Sequence, residues 1–235
     1  MELTKYEDLA GILEYPLLAP DLSSAKLSEG LTLAKRYGVA AAIVRPCDID
    51  VAARTLAGSQ VVPGSVVGFP HGSQTTGTKV FEARDLLRRG AKEMEVVIAV
   101  SRVLNREFQH VQTELNQLAD TCRQENALLK VTLEMPYLTD ELKIIALICC
   151  ERADVHMVKT TTGFGPAGYT AADLKLMRDH LPEEIGICAE GGILTLDQAI
   201  EAQTQSATRL STSEPAGILE AWKAKLAAAA VAPTV

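Results

Sequence analysis

The chain is predicted to fold as a single α/β domain, a (β/α)8 TIM barrel that spans residues 1–235. Three observations predict this fold class. Short β-branched runs alternate with amphipathic helical runs eight times along the sequence. No linker or low-complexity segment divides the chain. A length of 235 residues and a hydrophobic fraction of 47% suit one large, mainly aliphatic core. A doubly wound open sheet is the alternative that shares this alternation.

The predicted elements follow one another as strand and helix. The strands are predicted at 11–15, 40–45, 65–69, 93–99, 128–134, 155–159, 186–189 and 207–211. The helices are predicted near 23–37, 48–57, 74–89, 107–126, 139–151, 170–181, 195–204 and 214–229. Thr139 and Thr195 precede acidic residues in the next turn, a pattern typical of helix N-termini. The Ala/Pro-rich segment 227–235 is predicted to fray.

Charge and cysteine content restrict the partners and the compartment. A net charge of −7 argues against nucleic acids and anionic membranes as partners, since both repel an acidic protein. Neither a membrane span nor a signal peptide is predicted from the apolar runs. The five cysteines are odd in number and lack paired C-x-x-C spacing, so free thiols and a cytoplasmic location are expected.

Charged side chains are predicted inside the barrel, because alternate residues of a strand face opposite sides. In the fifth strand the apolar Val131 and Leu133 face the helices, so Lys130 and Glu134 face inward. The same alternation places four further polar residues inside, namely Glu95, Lys159, Cys188 and Glu190. These groups form either a structural ion-pair layer or a set that tunes one amine and supplies an acid or base.

Lys159 ends a short apolar run and precedes the segment Thr160-Thr161-Thr162-Gly163. This pattern indicates a buried strand that ends in a loop, with an ammonium group at its mouth. Burial of an amine is costly unless its pKa falls, and an amine of lowered pKa attacks carbonyls to form Schiff bases. The alternative is a solvated lysine that merely ends the strand.

Two small-residue loops follow the last two predicted strands, Gly191-Gly192 and Ser211-Thr212-Ser213. In TIM barrels these loops commonly hold a phosphate through backbone N–H groups at a helix start. A Gly-Gly pair also occurs in many tight turns, so the pattern alone leaves both interpretations open.

A set of motifs runs in order between about residue 9 and about residue 222. The motifs are VVGFPHG at 66–72, FEA at 81–83, YLTDE at 137–141, VKTTTGF at 158–164, LMR at 176–178 and GGI at 191–193. In combination they resemble deoxyribose-phosphate aldolases. The resemblance implies a class I aldolase that reversibly cleaves 2-deoxyribose 5-phosphate to glyceraldehyde 3-phosphate and acetaldehyde. It also implies a Schiff base on Lys159, no metal or other cofactor, and often a homodimer.

The resemblance carries over to individual positions of this chain. It implies catalytic roles for Lys159, Glu95 and Lys130. The substrate-binding positions that it implies are Glu14, Arg45, Thr161, Cys188, Gly191, Gly192, Ser211 and Ser213.

The chain departs from the family at several of these positions. The family places a second lysine, a cationic neighbour of the nucleophile, where this chain has Cys188. The acid/base aspartate of the family falls on Glu95, which is one methylene longer, and an early aspartate falls on Glu14. An asparagine of the second strand is Arg45 here. Lys130, or Arg45 if it turns inward, is therefore expected to replace the missing cation.

Glu190 and Glu214 are acidic departures beside the expected phosphate loops. Both would repel a phosphate dianion, and Pro215 removes a backbone donor, so weak binding of phosphorylated sugars is expected. The leading hypothesis is an aldolase of the deoxyribose-phosphate type. The alternatives are a divergent paralogue for an unphosphorylated or cationic substrate, and a carbonyl-binding protein with little aldolase activity.

Overall fold

Eight parallel strands close into a barrel in the computed structural model, which describes residues 2–231. The strands are β1 (Leu13–Leu17), β2 (Ala41–Val44), β3 (Val62–Val67), β4 (Glu93–Val97), β5 (Leu128–Thr132), β6 (Met157–Lys159), β7 (Gly186–Glu190) and β8 (Arg209–Ser211). Each strand pairs with the next, and β8 returns to pair with β1. The predicted (β/α)8 fold is confirmed and the open-sheet alternative is wrong.

Ten α-helices lie among the described residues. They are α1 (Tyr6–Ala10), α2 (Ser24–Tyr37), α3 (Ile49–Leu56), α4 (Thr76–Arg88), α5 (Val100–Leu104), α6 (Phe108–Gln124), α7 (Asp140–Arg152), α8 (Ala171–His180), α9 (Leu196–Thr204) and α10 (Pro215–Val231). The sequence did not predict α1 and α5, because five residues are too few to show a helical period.

Element boundaries differ most from the prediction at three places. β1 and β3 are each displaced by two or three residues from the predicted span, and each contains a proline, which weakens the signal for a strand. Helix α10 continues through 227–231, where a frayed tail is predicted, because alanine strongly favours helix. Residues 232–235 of that tail lie outside the described part of the chain.

The two threonine caps predicted from the sequence are present. The side chain of Thr139 accepts a hydrogen bond from the backbone N–H of Leu142, and that of Thr195 accepts one from Gln198. Thr195 and Gln198 form a reciprocal capping box. Each such cap stabilises the helix start by about 1 kcal/mol.

The apolar core lies between the barrel and its helices, and the lumen is divided by polarity. Val131 and Leu133 belong to the core, as the alternation predicts. Inside the barrel, Ile43 of β2 and Val66 of β3 belong to a separate small apolar cluster. The charged residues of the lumen are therefore contributed by the other six strands, namely β1 and β4 to β8.

A buried ion pair outside the lumen fastens two helices to the end of β4. Lys79 of α4 and Glu114 of α6 have side chains that are 0% and 1% exposed, with 2.7 Å between Nζ and Oε1. Lys79 Nζ also donates to the backbone oxygen of Val97 at 2.8 Å, and Thr76 donates to Glu114 at 3.0 Å. This arrangement fixes the chain two residues beyond Glu95.

We expect Lys79→Met to lower the free energy of unfolding by about 3–5 kcal/mol, because it leaves the Glu114 carboxylate buried without its cation. The double variant Lys79→Met with Glu114→Gln should be less destabilised than the single variant. Urea unfolding of both proteins measures the difference. An equal loss in the two variants would show that the charge of Glu114 is not the cause.

Candidate active site

Lys159 lies at the carboxyl end of β6, inside the barrel, with a fully buried side chain. Three carboxylates surround its ammonium nitrogen. Nζ is 3.0 Å from Glu14 Oε1, 3.0 Å from Glu95 Oε2 and 2.7 Å from Glu190 Oε2. Active sites of TIM barrels lie at this end of the strands. The solvated alternative for Lys159 is therefore wrong.

Lys130 is the second lysine of the lumen and shares two carboxylates with Lys159. Its Nζ is 2.5 Å from Glu14 Oε2, 2.8 Å from Glu93 Oε1 and 3.3 Å from Glu95 Oε2. Glu14 therefore bridges the two ammonium groups with its two oxygens, and Glu95 bridges them with one oxygen.

Strand register explains why these residues meet. In the parallel pairs, Glu95 lies opposite Lys130, and Lys159 lies opposite Cys188 on the next strand. Glu14 of β1 lies opposite Ser211 of β8, which joins the first strand to the last. Inward-facing side chains of a closed barrel stack in layers drawn from alternate strands, so residues that are far apart in sequence become neighbours.

Glu95 reaches the lysine despite the extra methylene that distinguishes it from aspartate. Its Oε2 contacts Lys159, while Oε1 accepts a hydrogen bond from the hydroxyl of Thr132 at 3.3 Å. Each oxygen thus has a defined partner, and the carboxylate is oriented from within the barrel.

Two lumen residues were absent from the predicted site, Glu93 and Arg209. Arg209 Nη1 lies 3.5 Å from Glu93 Oε2 and 3.9 Å from Glu14 Oε2. The period of two could have identified both, because Glu93 precedes Glu95 by two residues and Arg209 precedes Ser211 by two. The described lumen therefore holds four carboxylates and three cations, if every group is ionised.

Glu134 is not part of this cluster, contrary to the prediction. It follows β5 with a φ of +51° and its carboxylate accepts a hydrogen bond from the backbone of Thr162. Thr161 donates its hydroxyl to the backbone oxygen of Glu190 at 3.1 Å. Both side chains organise the loop after β6, and the substrate role predicted for Thr161 has no direct support in this contact.

The loops after β7 and β8 have the compact form predicted from their small residues. Gly191 has a φ of +101°, and a Cβ there would lie 2.4 Å from the Cα of Gly168, so only glycine fits. The Ser211 hydroxyl lies 3.4 Å from Lys159 Nζ, whereas Ser213 is exposed at the surface. Gly192 is exposed beside them with a φ of +86°.

Glu190 lies with Oε2 2.7 Å from Lys159 Nζ, and its carboxylate also contacts Ser211, a residue of the expected phosphate site. The weak binding of phosphorylated sugars expected from Glu190 and Glu214 stays a prediction. Glu214 remains exposed at the start of α10. Its charge, added to the effect of burial, raises the pKa of Tyr15.

No protein-family model matches the chain. Among curated proteins, the deoxyribose-phosphate aldolase of Thermoanaerobacter pseudethanolicus is 35% identical over 216 residues, which cover 92% of this chain and 97% of that protein. The deoxyribose-phosphate aldolase of Bacteroides thetaiotaomicron is 36% identical over 217 residues, covering 92% and 91%. The chain belongs to the deoxyribose-phosphate aldolase family.

Solved structures agree with this assignment. A structure described as QR15, an aldolase, has a TM-score of 0.88 at 30% identity and covers 93% of this chain and 97% of its own. A tetrameric deoxyribose-phosphate aldolase from Aeropyrum pernix has a TM-score of 0.85 at 28% identity, with coverages of 95% and 94%. The expected family and an enzyme of the aldolase class are confirmed, and neither the divergent paralogue for an unphosphorylated substrate nor the carbonyl-binding protein is favoured.

Cys188 distinguishes this member of the deoxyribose-phosphate aldolase family, because it stands where a second lysine is expected. Burial, and then the charge of Glu14, raise the pKa of the Cys188 thiol well above its ordinary value, so the thiol is neutral. Besides Lys159, the cations of the described lumen are Lys130 and Arg209, and both contact Glu14 and Glu93.

Arg45 does not supply the missing cation, although the sequence left that option open. Its guanidinium pairs with Asp48 at 2.7 Å. It also donates to the backbone oxygens of Ala19, Pro20 and Leu22 at 3.0–3.2 Å. Arg45 therefore binds the loop after β1 at the rim of the barrel.

The pKa of Lys159 shifts in the direction opposite to the sequence-based expectation. Burial alone lowers it, but the carboxylates of Glu190, Glu95 and Glu14 together raise the pKa of Lys159 well above its ordinary value. The resting amine is therefore an ammonium, and it becomes a nucleophile only after a neighbouring group has taken its proton.

Glu14 shows the reciprocal effect. Burial raises the pKa of its carboxyl, but the ammonium groups of Lys130 and Lys159 and the Arg209 guanidinium outweigh burial and hold the pKa well below its usual range. Glu14 therefore stays ionised.

Among the described residues, no helix is both long enough and apolar enough to cross a bilayer.

We expect Glu14→Gln to weaken the dependence of stability on acid. A depressed pKa contributes stability above the unfolded value, which is about 4.3 for glutamate, and this contribution is lost as the pH falls toward the folded value. Between pH 6 and pH 3 the free energy of unfolding should fall by about 2 kcal/mol less in the variant than in the unmodified protein. Glu29→Gln, at an exposed site of α2, is the matched control. Equal slopes in Glu14→Gln and the unmodified protein would contradict the assignment.

Proposed function

We propose that this chain catalyses the reversible cleavage of 2-deoxyribose 5-phosphate to glyceraldehyde 3-phosphate and acetaldehyde through a Schiff base on Lys159. The observation that carries the proposal is a buried lysine at the carboxyl end of a TIM-barrel strand, with three carboxylates within 3.0 Å of its amine. Family membership supports the substrate, because the relatives are named for it.

The chemistry begins when the amine of Lys159 attacks the substrate aldehyde and water is lost. The resulting iminium is an electron sink, so the bond between C2 and C3 breaks as the C3 hydroxyl loses its proton. Its electrons form an enamine on Lys159. Protonation of the enamine carbon and hydrolysis then release acetaldehyde and restore the amine.

Glu95 is the proposed acid and base for the cleavage. Its Oε2 lies 3.0 Å from Lys159 Nζ, close enough to reach atoms bonded to the imine directly or through one water. Lys130 stays an ammonium, because burial lowers its pKa but the charges of Glu14, Glu93 and Glu95 outweigh burial and raise it. Lys130 contacts Glu14 and Glu95, which also contact Lys159. Through these two carboxylates it takes the place of the lysine that the family has at position 188.

The phosphate is proposed to bind at the loops after β7 and β8, where Gly191, Gly192, Ser211 and Ser213 lie. We further propose a homodimer and a cytoplasmic location, which the resemblance and the free cysteines suggest. The Aeropyrum pernix relative is described as a tetramer.

We expect acetaldehyde and borohydride to attach a two-carbon adduct to Lys159. Lys159→Leu should lose both the adduct and retro-aldol activity on 2-deoxyribose 5-phosphate, since Lys159 is the proposed source of the imine nitrogen. Lys175→Met, at a lysine whose side chain is 75% exposed, should retain both and is the control. Peptide mass spectrometry locates the adduct. An unchanged adduct in Lys159→Leu would refute the assignment.

We expect Glu95→Gln to lower turnover by about 10²–10⁴-fold while the imine still forms on Lys159. Glu93→Gln is the matched control, because Glu93 pairs with Lys130 and has no described contact with Lys159. Thermal unfolding, imine trapping and the retro-aldol rate are measured on one preparation of each variant. If Glu95 only stabilises the fold, Glu95→Gln should instead lose about 3–5 kcal/mol of stability and keep its rate per folded molecule.

A further inference from the structure

We propose that Glu190 is a second catalytic carboxylate, which carries protons from Lys159 Nζ to the substrate oxygen while the Schiff base forms. This inference rests on the proposed function, because it assigns a role within the same reaction. Such a group is needed because Lys159 rests as a positively charged ammonium. An ammonium cannot attack a carbonyl, and Cys188 provides no cation at the position where the family has a lysine.

The contact between Glu190 and Lys159 is the shortest of the three carboxylate contacts to that amine, with 2.7 Å between Oε2 and Nζ. The Glu190 carboxylate also lies within hydrogen-bonding reach of the Ser211 hydroxyl. A carboxylate oxygen this close to an ammonium is placed to receive its proton.

Glu190 stands on the side of the amine that faces the barrel mouth. Its side chain is 11% exposed, whereas those of Glu14 and Glu95 are fully buried. A Cβ built on Gly163, in the loop after β6, would lie only 3.0 Å from Glu190 Oε1. A substrate that enters through the mouth therefore meets Glu190 together with Lys159.

Hydrogen bonds hold the backbone of Glu190, so the point from which its side chain extends is fixed. Its backbone N–H donates to the Thr160 hydroxyl at 3.1 Å. Its backbone oxygen accepts from the Thr161 hydroxyl at 3.1 Å and from the N–H of Tyr169 at 3.0 Å. Rotation of the side chain can then admit substrate without displacement of β7.

The three carboxylates around Lys159 differ in their suitability as proton carriers. Glu14 and Glu95 also pair with Lys130, whereas the described ion pairs of Glu190 are confined to Lys159. Burial raises the pKa of Glu190 despite the adjacent ammonium. Glu190 is therefore suited to accept a proton, because only one of the two lumen ammonium groups contacts it.

The proton balance of imine formation requires such a carrier twice. Glu190 first takes one proton from Nζ, the freed lone pair bonds to the carbonyl carbon, and Glu190 gives that proton to the resulting alkoxide. It then takes a second proton from the carbinolamine nitrogen and gives it to the hydroxyl, which leaves as water while the C=N bond forms. The nitrogen keeps one proton and the positive charge, and Glu190 ends as a carboxylate.

The test compares the rate of imine formation in Glu190→Gln, Glu95→Gln and the unmodified protein, by borohydride quenching at increasing times after acetaldehyde is added. Glu190→Gln is nearly isosteric and should form the adduct on Lys159 about 10²–10⁴-fold more slowly. Glu95→Gln should form it at a nearly normal rate and fail later in turnover. Circular dichroism and thermal unfolding establish that each variant is folded.

Glu190→Ala provides a second test that separates chemistry from packing. Added formate should enter the vacated space and restore imine formation in a saturable manner, whereas Glu190→Gln has no such space and should not respond. Absence of rescue, or a rate in Glu190→Gln within about twofold of normal, would overturn the role of Glu190 alone. Absence of any adduct on Lys159 in the unmodified protein would instead overturn the proposed function, and the role of Glu190 with it.

Discussion

The site depends on one arrangement of charges, the bridging of two buried ammonium groups by Glu14 and Glu95. Removing a charge from water costs several kcal/mol, and an ion pair repays this only when every partner is in place. The closed barrel meets that requirement, because closure and strand register bring the inward-facing side chains of β1, β4, β5 and β6 into contact. Glu93 and Arg209 extend the network on the side away from Lys159.

This network determines how the amine can react. In the arrangement that the family resemblance implies, a second lysine lowers the pKa of the nucleophile. Here the corresponding side chain is the neutral Cys188, and carboxylates outnumber cations around Lys159. The nucleophile consequently rests as an ammonium, and catalysis must begin with proton transfer to one of its carboxylate neighbours. The presence of Glu190 at the barrel mouth and the absence of a lysine at position 188 therefore belong to one change in mechanism, from a preformed free amine to an ammonium that must first lose a proton.

The sequence predicted the barrel and much of its lumen, because periods of two and 3.6 are set by backbone geometry. Lys159, Lys130 and Glu95 were placed inside by alternation alone, and the same rule extended by two residues would have added Glu93 and Arg209. The direction of the Arg45 and Glu190 side chains could not be predicted, since each depends on partners that only the fold brings near. The sign of the pKa shift at Lys159 failed for the same reason, because it results from three distant carboxylates acting against burial.

The central claim, that carboxylates hold Lys159 as an ammonium, can be tested by nuclear magnetic resonance on protein labelled with ¹³C and ¹⁵N in lysine. The Lys159 signal is identified by its absence in Lys159→Leu, and its Cε and Nζ shifts are followed against pH. The account predicts no titration below about pH 10.4, the ordinary lysine value. A midpoint below about pH 8 would show a preformed free amine and contradict the account.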